Sequence, residues 1–194
     1  VRLDLRLGLG VGRGRTGGGT CRQVLNFKGS TYVDLPDIAI EPGQTISFSY
    51  ALAGGIPTSN EYFLDGDNGT RPIFRIGGAS QIFQGLEGIS STQGSLDGES
   101  LVSNWPSTPI PQDVEYHQIM VVAETSCVLS RIGIAGGNFA GFNGQMLNVK
   151  IDDGSEYYWR LNEGAGTTVA VNSGSAEADG TYFGVSSSDW EEVC

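Results

Sequence analysis

The sequence predicts an all-β fold in which two antiparallel sheets pack as a sandwich, and three observations carry that prediction. Thirty glycines and seven prolines among 194 residues, with abundant Ser, Thr and Asn, interrupt the chain too often for long helices. No stretch sustains a 3.6-residue apolar period, whereas runs such as TISFSYAL alternate at every second residue. Turn signals separate these short runs about every 8 to 12 residues, the spacing of sandwich strands. A chain of this length can close one sizeable hydrophobic core, so the expectation is a single domain preceded by an arm.

The arm comes first. Val1, Leu3, Leu5, Leu7, Leu9 and Val11 occupy alternate positions, with Arg2, Asp4, Arg6 and glycines between them. This is a strand with one wholly aliphatic face. Burying six such side chains contributes on the order of 9 to 18 kcal/mol before ordering costs, at roughly 1.5 to 3 each. The segment that follows, with Arg13 and Arg15 among glycines, has too little apolar surface to pack and reads as a flexible tether. Residues 1–22 are therefore expected to dock on a partner by strand addition through Val1, Leu3, Leu5, Leu7, Leu9 and Val11, with Arg13 and Arg15 pairing acidic surface. The alternative is that residues 1–20 form the first strand of the sandwich itself.

Residues 23–194 supply the sandwich. VLNFKGSTYVDL reads as a hairpin turning at Lys28-Gly29-Ser30, and TISFSYAL places Ile46, Phe48, Tyr50 and Leu52 on one face. EYFLDGDNGTRPIFRIGG reads as a hairpin with strands at 61–64 and 73–76 and a turn from Asp65 to Gly69. QIFQGLEGIS and SLVSN are weaker strands, and the prolines of WPSTPIPQ make a loop. EYHQIMVVAE, the most apolar run, is expected to be a central strand. CVLSRIGIAGG and GQMLNVKIDD follow, the second with Met146, Asn148 and Lys150 opposing Leu147, Val149 and Ile151. EYYWRLNEG, TTVAVN and GTYFGV complete the inventory.

Charge divides the chain. Residues 1–22 hold five arginines against Asp4, a charge of about +4, while the remainder holds six basic and twenty-one acidic side chains, about −15. An acidic body repels nucleic acid and anionic membranes, so neither is an expected partner. No apolar run approaches the roughly 20 residues of a bilayer span, and the N-terminus shows no secretory pattern. Cys21, Cys127 and Cys194, odd in number and widely spaced, read as unpaired thiols rather than a disulfide framework.

VLNFKGSTYVDLPD, TISFSYAL, EYHQIMVVAE, RIGIAGG and FNGQMLNVKIDD, in this order over about residues 24–152, resemble the motif succession of laminin-G-like, concanavalin A-like jelly rolls. The segment YYWRLNEGAGTTVAVNSGSAEADGTYFG resembles one that more often opens such domains, and here it stands near the end. The first and last strands of these sandwiches are neighbours, so the permuted order costs little in packing. The arrangement is similar to structural proteins of tailed bacteriophages. The resemblance implies a non-enzymatic virion protein, a homo-oligomer in its assembly, contacting other virion proteins through the arm and adhering to glycans by its outer loops. Two other readings are an extracellular bacterial carbohydrate-binding module of a larger protein, and a glycanase.

The superfamily's glycanases place two carboxylates on one strand in an E-x-D-x-x-E pattern, which this sequence lacks. Glu61, Asp65, Asp67, Asp152 and Asp153 are expected at turns, solvated, and His117 as a structural residue. No cofactor is expected. The resemblance implies a hard cation, calcium, held by loop oxygens, with Asp65, Asp67 and Asn68 as first candidates, although the segment lacks the acidic fifth and twelfth ligands of a calcium loop and an Asx-type turn accounts for it. For glycans, Trp105 and Tyr62 are expected to stack on sugar faces, with Asn104 and Asn138 bonding hydroxyls, while Phe48, Phe142 and Trp159 fill the core.

Overall fold

The computed structural model describes residues 21–66, 71–78, 80–101, 103–134 and 141–193. Within them lie β1 (Arg22–Lys28), β2 (Tyr32–Ile40), β3 (Thr45–Leu52), β4 (Glu61–Gly66), β5 (Arg71–Gly77), β6 (Ile82–Gly85), β7 (Ile89–Leu96) and β8 (Glu99–Ser100). A 3-10 turn at Trp105–Ser107 precedes β9 (His117–Ala123), β10 (Cys127–Ile132), β11 (Asn143–Ile151), β12 (Tyr158–Trp159), β13 (Val169–Ala170), β14 (Gly180–Phe183) and β15 (Trp190–Val193). The fold is the expected all-β sandwich, and every pairing between these strands is antiparallel. One sheet runs β15-β1-β11-β3-β9-β7-β8, with β12 also on β11, and the other β13-β14-β2-β10-β4-β5-β6.

The alternation along β3 is what the sequence predicts: Ile46, Phe48, Tyr50 and Leu52 all enter the core. They face Phe63 of β4, Phe74 of β5 and Phe83 of β6 across the sandwich. Phe63 is central, with its ring 4.7 Å from Phe142 and 5.2 Å from both Phe48 and Tyr50. β9 is an interior strand of its sheet, between β3 and β7.

Three local expectations are corrected. β1 and β2 do not form a hairpin: they lie in different sheets, and the Lys28–Ser30 bend carries the chain across the sandwich. A turn signal fixes where a strand stops, not which sheet the next one joins. In β11 the alternation breaks at Asn148, whose φ of 57° accompanies a register shift against β3, so Met146, Val149 and Ile151 share the core face. Glu61 and Asp65 are not solvated turn residues; both are buried in β4.

The cysteine expectation is also corrected. Cys21 is disulfide-bonded, while Cys127 is a free, partly buried thiol. β15 carries no strand pattern of its own, yet Trp190–Val193 pairs along β1 with Arg22 opposite Val193, which brings distant parts of the chain together beside Cys21. Cys194 and the arm residues lie outside the described residues.

Phe63→Ala removes the ring that joins the two sheets. It is expected to cost about 3 to 5 kcal/mol, read as a lower urea midpoint at unchanged slope.

Candidate functional site

The outer face of the β15-β1-β11-β3 region gathers polar side chains around a hollow. Asn26 of β1 stands opposite Gln145 of β11, and Gln145 opposite Ala51 of β3, so one rung runs Asn-Gln-Ala across three strands on a single face. Glu191 of β15 pairs with Val24, two residues from Asn26, and joins the same face. The small Ala51 leaves a depression of about 260 Å³, walled by Asn26, Gln145, Glu191, Leu52 and Val114.

Hydrogen bonds fix these side chains. Gln145 Nε2 donates to Asn26 Oδ1 at 2.8 Å and to Glu191 Oε2 at 3.0 Å. Asn26 Nδ2 donates to the same carboxylate oxygen at 3.4 Å. The Tyr116 hydroxyl donates to Gln145 Oε1, and the Arg22 guanidinium lies 5.4 Å from the centre of the Tyr116 ring. Gln145 is thereby held at both the carbonyl oxygen and the NH2 group of its side-chain amide.

A second hollow of about 300 Å³ lies where β3 and β11 meet the following loop, lined by Gly55, Pro57, Thr58, Ser59, Glu61 and Asn143. Glu61 Oε2 accepts the Asn143 backbone N–H at 3.0 Å. Burial pushes the Glu61 pKa up, opposed by that hydrogen bond. Because its folded-state pKa lies above the unfolded one, Glu61 weakens stability as pH rises through it.

The loop that carries Val114 and Tyr116 is tied down at its base. His117 Nδ1 lies 2.7 Å from Asp97 Oδ2 and Nε2 lies 2.8 Å from Asp113 Oδ1, so both ring nitrogens face carboxylates. Asp97 also accepts the Gln118 backbone N–H, and the Tyr50 ring packs 5.9 Å from the imidazole. Burial alone would lower the His117 pKa, but hydrogen bonds and charge from Asp97 and Asp113 outweigh it and the pKa rises. The hydrogen bond from His117 in turn holds Asp113 below the usual carboxylate range.

The residues singled out from sequence fall elsewhere. Trp105 and Tyr62 are 0% exposed, so neither offers a ring face to a ligand. Trp105 packs 5.0 Å from Phe74 and 5.7 Å from Phe83, because the 3-10 turn folds the proline loop inward over β5 and β6. The Tyr62 hydroxyl accepts from Arg75 Nη1 at 2.6 Å. Asn104 caps the 3-10 turn, accepting the Ser107 N–H at 2.9 Å, and lines a separate cavity of about 310 Å³ with Leu96 and Leu101. Asn138, Asp67 and Asn68 lie outside the described residues, and Asp65 is buried on β4 opposite Arg131. Phe48, Phe142 and Trp159 are core residues, as expected. Among the described residues no three His, Cys, Asp or Glu side chains gather where they could share a metal ion. Burial, then the charge of Glu87, pushes the Cys127 thiol up to about 11, which makes it a poor nucleophile at neutral pH.

Comparison with family models, curated proteins and solved structures returns no significant match to this chain.

His117→Gln should lower the melting temperature at pH 6, where the imidazolium joins both carboxylates. The deficit should shrink as pH rises through the raised His117 pKa, since the stability His117 adds is fully present below its unfolded value of about 6.5 and is lost above the folded one. Glu61→Gln should raise the melting temperature slightly at pH 8 and leave it unchanged at pH 3.5, where the native carboxyl is already neutral. Thermal melts across this pH range check both.

Proposed function

We propose that the chain is a non-enzymatic structural protein of a tailed-bacteriophage particle, anchored by residues 1–22, with its sandwich displayed outward to adhere to glycans. The observation that carries this reading is the division of the chain. In the sequence a run of alternating aliphatics, Val1 to Val11, and a cationic glycine-rich segment precede an acidic body, the first described strand of which begins at Arg22. A strand with one greasy face needs a sheet to cover it, and a neighbouring subunit in a repetitive assembly provides one. The cationic tether suits acidic bodies such as the one it is joined to, which favours contacts among copies. The motif order and the permuted closing segment support the phage setting, and the polar hollow beside Glu191 supports adhesion to hydroxyl-rich ligands. Calcium in the segment Asp65, Asp67 and Asn68 belongs to the same proposal.

The disulfide at Cys21 favours a second setting, an extracellular bacterial carbohydrate-binding module, because such bonds persist in oxidising surroundings. A catalytic domain or secretion signal encoded beside this segment would decide for that setting.

Deleting residues 1–15 should leave a folded, monomeric sandwich that no longer joins its particle, as read by circular dichroism, sedimentation and mass spectrometry of purified virions. A truncated chain that fails to fold, or full-length chain missing from the particles, would overturn the virion reading.

A further inference from the structure

We infer that the hollow formed by Asn26, Gln145, Glu191 and Ala51 is a binding site for a neutral sugar ring. The inference rests on the adhesion reading above and gives it a place and a chemistry.

Gln145 is fully engaged: both N–H groups of its amide and its carbonyl oxygen have protein partners. It works as a bracket that sets the two groups on either side of it. Glu191, which lines the hollow, receives both of its hydrogen bonds on Oε2, and Oε1 remains as a further acceptor. Asn26 donates one N–H to Glu191 and keeps the other. An acceptor and a donor, held side by side in advance, match adjacent hydroxyls that each donate one proton and accept another. Ala51 and Val114 supply apolar contact for the C–H face of a pyranose within a mainly polar lining.

Size and charge narrow the ligand. A hollow of about 260 Å³ is at the small end for ligand sites, so it suits a single ring, presented at a chain end or as a branch. Glu191 sits on a protein of formal net charge −11, which disfavours uronates, sialylated, sulfated or phosphorylated glycans and leaves neutral ones. Preorganisation lowers the ordering cost of binding, because the polar side chains already hold one another in place.

The test uses the full chain on an array of neutral and acidic glycans, followed by NMR titration with the methyl glycoside of the best neutral ligand. Binding to neutral glycans is expected, with shifts at the side-chain amides of Asn26 and Gln145. Glu191→Gln should weaken it about tenfold to a hundredfold, the effect of one lost hydrogen bond to a charged group, and Gln145→Ala, which releases Asn26 and Glu191 from their bracket, should weaken it as well. Glu191→Gln is isosteric and should melt with the wild type, so its result stands even where Gln145→Ala perturbs the sheet. Binding that survives both substitutions, with shifts elsewhere, would overturn this site and leave the adhesion reading standing. A preference for acidic glycans would overturn the assigned chemistry. An array with no bound glycan would remove the adhesion reading and this site together.

Discussion

Everything in this molecule depends on the packing of two apolar sheet faces against each other around Phe63. That ring touches aromatics from three other segments, Phe48 and Tyr50 on β3, Phe74 on β5 and Phe142 before β11, so it belongs to both sheets at once. Once β3 must present Ile46, Phe48, Tyr50 and Leu52 inward, the period of two sends Ser47, Ser49 and Ala51 outward. The outer face is thus fixed in composition by the inner one. The depression at Ala51 is a consequence of that pairing as much as of its own sequence.

The end of the chain completes that outer face. β15 is a short edge strand, and four residues of ladder alone would hold it weakly. It is secured from within by Trp190, whose indole enters the core and meets Tyr182 edge-on at 5.5 Å. Just before it, Asp189 accepts the Ser186 backbone N–H at 2.7 Å and pairs with Lys28 of β1; the hydrogen bond from Lys28 pulls the Asp189 pKa down. These contacts dock β15 against β1 in one register, and that register sets Glu191 beside Asn26. The carboxylate of the hollow is therefore positioned by an anchor on the opposite side of its own strand.

How much of this was legible in the sequence follows from what kind of contact each feature needs. The β3 strand, the β4–β5 hairpin and interior β9 were readable because alternation and turn chemistry are local. The assignment of β1 and β2 to separate sheets was not, since Lys28-Gly29-Ser30 turns a chain equally well within a sheet or between sheets. Trp105 reads as a sugar-stacking ring because it falls at a predicted strand end, yet a 3-10 turn folds it over Phe74 and Phe83. Gly94 hints at why: a Cβ there would fall 2.6 Å from the Trp105 ring, so the indole needs that glycine, a pairing with no sequence signature. Asn26 and Gln145 could be recognised singly as polar residues in outward strand positions. Their meeting on one rung depends on a long-range register between β1 and β11, which no local pattern encodes. β15 was missed for the same reason, as SSDWEEV carries little alternation and is a strand only because β1 offers it an edge.

The inner and outer faces meet most directly at two consecutive residues. Tyr116 and His117 point to opposite sides of the chain, Tyr116 outward to Gln145 and His117 inward beside Tyr50. Asp113, four residues before His117, is bound to the imidazole, so the short loop holding Val114 is closed into a ring by that contact. The wall of the hollow is thus set from beneath by an ion-paired histidine and from above by a tyrosine hydroxyl. The two supports differ in kind: the hydroxyl contact is indifferent to pH near neutrality, whereas the imidazole contact weakens once the ring loses its second proton. The loop is then left with its outer tether alone, and Val114, exposed and without a core to enter, follows whatever the backbone between Asp113 and Tyr116 does. Order in the wall is consequently a property of the sheet that carries Tyr50 and Gln145, transmitted through side chains a residue apart.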